Sequence, residues 1–322
     1  MLESEFGGYV NLIMRKLNEG GDNMKVDIIK HSEWADTKFT LHLISQILGK
    51  IKLVTAHKEP QWAHVMLPLT PNGFTTGLLF AEDDLLQLEV DVINSLISVN
   101  VNGATENIAI ETSKSIKDYF DEIFHSIHSR GVDVTINLKP QEMAYKKLLN
   151  EDDTPLTFNQ KDAVRGLKLF QLALHEQMKF IAPMRSRKVK PALFWGTFDV
   201  AMLVLHGIME EFPEDRVIEK AAFDEHMIEY GFWLGDDNVD TPSFFVLPYP
   251  FVNKDLNHTS IKPEEAYYDA NLSEYFLDLE SVMKSENPSK TVQEFFQSTF
   301  DVLKVELEWD DCSHYFIPLK MN

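Results

Sequence analysis

The chain has 322 residues, 44% hydrophobic and 25% charged, a composition suited to a globular protein with a sizeable core. With 30 Lys+Arg against 51 Asp+Glu the net charge is −21. That balance disfavours nucleic acid and anionic membrane surfaces, because both are bound through clustered Lys and Arg.

Residues 1–23 read as an N-terminal extension, a short amphipathic piece (Tyr9, Leu12, Ile13, Leu17) halted by Gly20-Gly21 and suited to packing on a domain or binding a partner. Its acidic start and missing apolar run do not fit a signal peptide. A single α+β domain is expected over 24–322, with possible similar halves at 24–140 and 158–322. A helix is expected over 34–51. Then the periodicity changes to two: WAHVMLPL, GFTTGLLF, LLQLEVDVI, SLISVNVN and ENIAIET predict the strands of an antiparallel meander, with turn residues such as Asn102-Gly103 between them.

SKSIKDYFDEIFHSIHSRG returns to helical spacing (Ile116, Tyr119, Phe120, Ile123, Phe124, Ile127) with Gly131 as its stop, and VDVTINL reads as a strand. KPQEMAYKKLLNEDDTPLTF reads as a connector. A second long helix is expected over 159–181. The one dense basic run, MRSRKVK from Met184, joins it to strand-like segments at 192–206, near 228–233 and in SFFVLPYP. Helices near 272–285 and 289–307 complete the chain. Runs of adjacent strands separated by helices favour α+β architecture over a parallel sheet.

The most apolar stretch, PALFWGTFDVAMLVLHG, is broken by Thr197, Asp199 and His206 and is shorter than the ~20 residues of a membrane span. The single Cys312 offers neither an intrachain disulfide nor a paired zinc ligand, so a reducing, cytoplasmic setting is expected. Neither G-x-G-x-x-G nor G-x-x-x-x-G-K-[ST] occurs, and the G-x-S-x-G and H-E-x-x-H signatures are missing too. His125 and His128 lie three apart on a helix without a third ligand nearby. No metal or cofactor is assigned.

The helix at 34–51 carries the most informative pattern. At about 100° per residue, Trp34, Lys38, His42, Ser45, Gln46 and Gly49 share a sector opposite an apolar face. That sector lacks the Glu and Lys of a solvated surface. It suits either a wet cleft or a helix whose polar side is satisfied by its own protein. Strand alternation would place Trp62, His64 and Met66 on one face, and an extended 195–199 would align Trp195, Thr197 and Asp199. Asp199 lies among apolar neighbours, so if buried it needs a partner. Trp233 sits in YGFWLGDD between two glycines.

The blocks EWADTKFTLHLISQILGKIKL, QWAHVMLPLTPNGFTT, FWGTFD, GFWLG and FFQSTFD, in this order from about Trp34 to Asp301, resemble a bacterial family known only as a domain of unknown function. Its pattern runs W-x-x-T-x-x-T-L-H-L-x-x-Q-x-x-G-K, H-W-W-H-V, F-W-G-x-F-D, G-F-W-P-G. The resemblance implies no activity. Gln61 and Ala63 stand where the pattern has His and the second Trp, and Ala192 stands where another His is usual. If those histidines served catalysis or a metal, this chain is altered there.

Two functions remain open at this point. One is a small-molecule pocket, with His42, His64 and Asp199 as catalytic acid–base candidates and Trp34, Lys38, Gln46, Trp195 and Trp233 as substrate-binding candidates. The other is a non-catalytic interaction or structural module in which the same residues form a satisfied polar-aromatic core. No oligomeric state is legible.

Overall fold

The computed structural model describes residues 27–257 and 260–320. The proposed extension at 1–23 lies outside the described residues. The elements run in order α1 (His31–Thr55), β1 (Gly73–Thr75), β2 (Leu79–Ala81), β3 (Asp84–Asp91), β4 (Leu96–Val101), β5 (Ala104–Ala109), α2 (Ile116–His128) and α3 (Gln160–Ile181). After these come β6 (Arg187–Phe194), β7 (Asp199–Met209), α4 (Val217–Ala222), β8 (Glu225–Trp233), β9 (Ser243–Tyr249), β10 (Tyr267–Asp269), β11 (Glu274–Asp278), α5 (Leu279–Lys284) and α6 (Pro288–Glu306). The fold is α+β with two antiparallel sheets.

The first sheet has the order β1-β3-β4-β5, with β2 also paired to β3. Asn102 and Gly103 both take positive φ, the geometry of the tight turn that joins β4 to β5 with the correct twist. Ser115 and Asp118 cap α2 reciprocally: the Ser115 hydroxyl accepts from the Asp118 N–H at 3.1 Å and the Asp118 carboxylate accepts from the Ser115 N–H at 2.8 Å.

The second sheet has the order β10-β11-β9-β8-β7-β6. One face packs on α3 and α6. Val200, Met202, Tyr230, Phe232, Phe244 and Val246 are buried there, and the Tyr230 ring lies 5.1 Å from Phe180 and 5.2 Å from Phe296. The side chain of Gln177 on α3 donates to the carbonyls of Val200 (2.8 Å) and Tyr230 (3.0 Å), fixing helix to sheet. Residues alternate across a strand, so Asp199, Glu229, Trp233, Phe245 and Glu274 fall on the opposite face, where they line a hollow. One hydrophobic cluster runs from Ile29 to Tyr315 through both sheets and the helices.

Three sequence expectations need adjustment. Residues 132–138 alternate between buried and exposed as a strand would, with Val132, Val134 and Ile136 inside, but they form no strand. Segment 62–69 is not a strand either: it opens with a helical turn at Pro60–Trp62, where Gln61 and Trp62 take positive φ, and its β-type pairing is limited to single bridges at Leu67 and Leu69. The helix expected at 272–285 starts as β11, because the alternation of EYFLD finds a free edge on β9, and becomes helical only at Leu279.

Candidate functional site

The hollow over the second sheet has a volume of about 660 Å³. That lies within the ~300–1,000 Å³ usual for small-molecule sites. Its floor is the sheet face, and its sides come from the β6–β7 turn, the connector at 141–142, α4 and the loop after β8.

The turn Trp195–Phe198 enters the cavity wall by way of Gly196, where a Cβ would strike the Glu142 carboxylate. Asp199 begins β7 and is 4% exposed. The Thr197 hydroxyl donates to its Oδ1, while Oδ2 has no partner among the described residues. Burial, with Glu142 nearby, raises the Asp199 carboxyl to about 7, the Thr197 hydrogen bond opposing the rise. Trp195 Nε1 is also buried without a partner among the described residues.

Glu229 on β8 and Glu274 on β11 complete the acidic floor. Burial pushes Glu274 up to about 7, with Asp199 and Asp269 adding repulsion. Glu229 is raised well above the usual carboxylate range by burial and by Asp199, Glu274 and Glu142. Glu142 is raised by burial, with the Glu219 carboxylate adding repulsion. Among the described residues no Lys, Arg or His lines the hollow.

Helix α1 runs behind this wall, and its polar stripe does a different task from lining. Lys38, His42, Gln46 and Lys50 recur every fourth residue and so share one face. Lys38 donates its ammonium to the Gly235 carbonyl, and burial lowers its pKa to about 8. His42 donates through Nε2 to the Gly196 carbonyl at 2.9 Å and stacks on Phe198 at 5.1 Å. Burial lowers its pKa to about 4, so the ring is neutral around pH 7. Gln46 donates to the carbonyls of Gln141 (2.9 Å) and Trp195 (3.1 Å) and accepts from the Gln141 N–H at 3.0 Å. Lys50 donates to the Gln141 side chain at 3.0 Å, with its ammonium 5.6 Å from the Trp195 ring centre. Gly49 lets that indole lie directly on the helix: a Cβ there would overlap the ring. The stripe is a bracket that holds three cavity-lining loops by their backbone.

Of the eight candidates, Asp199, Trp195 and Trp233 meet at the cavity. Lys38, His42 and Gln46 stand one layer behind. His64 and Trp34 lie elsewhere. His64 accepts from the Glu59 N–H at 3.1 Å and stacks on Trp62, whose own indole does reach the cavity. Trp34 packs between α1 and α3, its ring over Gly166. The sequence reading missed Glu142, Glu229 and Glu274. For Glu229 a signal existed, since the alternation E-x-G-x-W in EYGFW sets it on the same strand face as Trp233.

Among the described residues no helix is long and apolar enough to cross a membrane. Neither the curated proteins nor the solved structures yield a match to this chain. The profile of a family of unknown function, DUF5996, matches residues 27–314, nearly the whole of the described fold and the entire cavity wall, and the chain belongs to that family.

Proposed function

We propose that the protein binds a small molecule in the cavity over its second sheet, with Asp199 as the group that exchanges a proton with the ligand. The observation that carries this reading is one buried oxygen. Asp199 lines a hollow of small-molecule size, and its buried Oδ2 has no protein partner among the described residues. Leaving a buried polar atom unpaired costs about 1–3 kcal/mol, more if it is charged, a cost that a ligand offsets. A carboxyl raised to about 7 is also suited to giving and taking protons near neutral pH. His42 then acts as a positioning residue, neutral and holding the turn that presents Thr197 and Asp199. His64 has no part in this site.

The half-buried lone Cys312 is consistent with a reducing compartment, and a cytoplasmic location is proposed with it. The alternative, a non-catalytic module with a satisfied core, draws on the fully bonded Gln46.

The two readings separate in a thermal-shift screen of a compound library against the wild type and Asp199→Asn. Compounds that stabilise the wild type and lose that effect in a variant that folds as well support the site. If the variant melts markedly lower, and every hit acts on both proteins alike, Asp199 is a structural group and the proposal fails.

A further inference from the structure

Four acidic residues of the cavity lining have acceptor capacity to spare among the described residues: Glu142, Glu229, Glu274 and Asp199, whose buried Oδ2 has no partner. The other two acids in the wall each close a turn through Oδ1: Asp236 accepts from the Asn238 N–H at 2.7 Å and Asp269 from the Asn271 N–H at 2.8 Å. The Lys38 ammonium lies behind the wall and is committed to the Gly235 carbonyl. The hollow therefore gathers acidic groups without a counter-charge among the described residues, and burial makes the repulsion between their ionised forms stronger than it would be in water.

The rest of the wall is aromatic, with Trp62, Trp233, Phe245, Tyr267 and Phe276 among its rings. Ring faces attract cations, most strongly where water is excluded. The acids are also spread out rather than convergent. Glu229 pairs with Leu247 across β8 and β9, and the β9–β11 register, continued one step past Val246 and Tyr275, sets Glu274 on the other side of Leu247. Two strand spacings separate the two glutamates, about 10 Å between backbones. Among the described residues no three His, Cys, Asp or Glu side chains converge on one point. This layout fits a cation of several atoms.

We propose that the cavity takes an organic cation, a molecule bearing protonated amino or quaternary ammonium groups, with its charge among Glu229, Glu274 and Asp199 and its hydrocarbon against Trp233 and Phe245. The inference rests on the reading of the hollow as a small-molecule site. The groups that face Asp199 are Glu142, Glu229 and Glu274 from the cavity, Thr197 from its own turn and Lys38 from α1. A bound cation requires these acids ionised, so affinity rises with pH. Each carboxyl that titrates near 7 and must ionise adds about tenfold between roughly pH 6 and pH 8.

The test reads the indole N–H resonances of the full chain by NMR. Trp62, Trp195 and Trp233 line the hollow, whereas Trp34 and Trp309 do not and serve as internal controls. The probes are spermidine, choline, the uncharged tert-butyl isostere of choline, and succinate. Spermidine or choline is expected to move the three cavity resonances with saturation, and more tightly at the higher pH. Glu229→Gln and Glu274→Gln are each expected to weaken that binding roughly tenfold, the usual difference between a charged and a neutral acceptor. Equal binding of the uncharged isostere or of succinate, or no cation binding at millimolar concentration, overturns the cation assignment. Saturable shifts confined to Trp34 or Trp309 place the amine elsewhere and sink the cavity reading itself.

Discussion

Replacing Asp199 with Asn is expected to make the protein more stable, and by an amount that depends on pH. An aspartate ionises near 3.8 in an unfolded chain, whereas burial raises Asp199 to about 7 in the fold. Below the lower value both states are protonated and the residue costs nothing through ionisation. As pH rises from there, the unfolded state ionises first and gains stability by about 1.4 kcal/mol per pH unit, until the folded carboxyl ionises as well. The wild type thus carries a cost of about 1–2 kcal/mol at roughly pH 5 and about 3–5 kcal/mol at roughly pH 8. The asparagine side chain of the variant cannot ionise, but its amide N–H groups need partners of their own and return part of the gain. Chemical denaturation should show D199N ahead of the wild type by about 2–3 kcal/mol more at the higher pH than at the lower. A variant that is less stable at the higher pH, or a gap that is the same at both, would refute the claim that Asp199 is a buried carboxyl held short of partners. A residue that weakens the fold in this way is expected where ligand binding requires it.

Gln46→Leu keeps the volume but removes three hydrogen bonds to the Gln141 and Trp195 backbone, and a loss of about 2–4 kcal/mol in denaturation is expected from the stranded groups; a loss below the error of the fit would mean the bracket is dispensable. Gly49→Ala drives a methyl into the buried Trp195 indole, with an expected cost of about 1–3 kcal/mol and a changed Trp195 fluorescence environment; a variant as stable as the wild type contradicts the packing. The His42 ring should stay neutral on acidification through the ordinary histidine range, since burial holds it down to about 4. An NMR titration with a midpoint above roughly 6 would contradict that burial. Gly196→Ala is expected to leave the melting temperature near that of the wild type, because the group it meets is the mobile end of Glu142, while displacing that carboxylate and weakening amine binding; unchanged binding would remove Glu142 from the site.

Local patterns carried the long helices well. The helices expected at 159–181 and 289–307 fold within a residue of α3 and α6 at each end, and the apolar spacing from Ile116 to Ile127 falls inside α2. What local pattern could not convey was pairing. The alternation at 132–138 is as strong as that of β4, yet only β4 has neighbours on both edges. EYFLD reads as the first turns of a helix until β9 offers it an edge. The α1 stripe was visible as an unusual polar face, but its partners are the Trp195, Gly196 and Gly235 carbonyls, which are backbone atoms and leave no mark in side-chain pattern. The side chains of Trp195, Trp233 and Asp199 do share the hollow, Trp233 and Asp199 brought there at the ends of their strands and Trp195 by the β6–β7 turn. Glu229 escaped notice because acidic residues on strands ordinarily mark a solvated face, and Glu274 because its segment reads as a helix; only the tertiary fold encloses them.

The most direct measurement is a crystal structure of the wild type soaked in spermidine near pH 8. Ligand density is expected over the second sheet, with an ammonium nitrogen within hydrogen-bond distance of Asp199 Oδ2 and further contacts to Glu229 or Glu274. A hollow closed by its own side chains, with Asp199 Oδ2 bonded to a protein donor, would contradict the account.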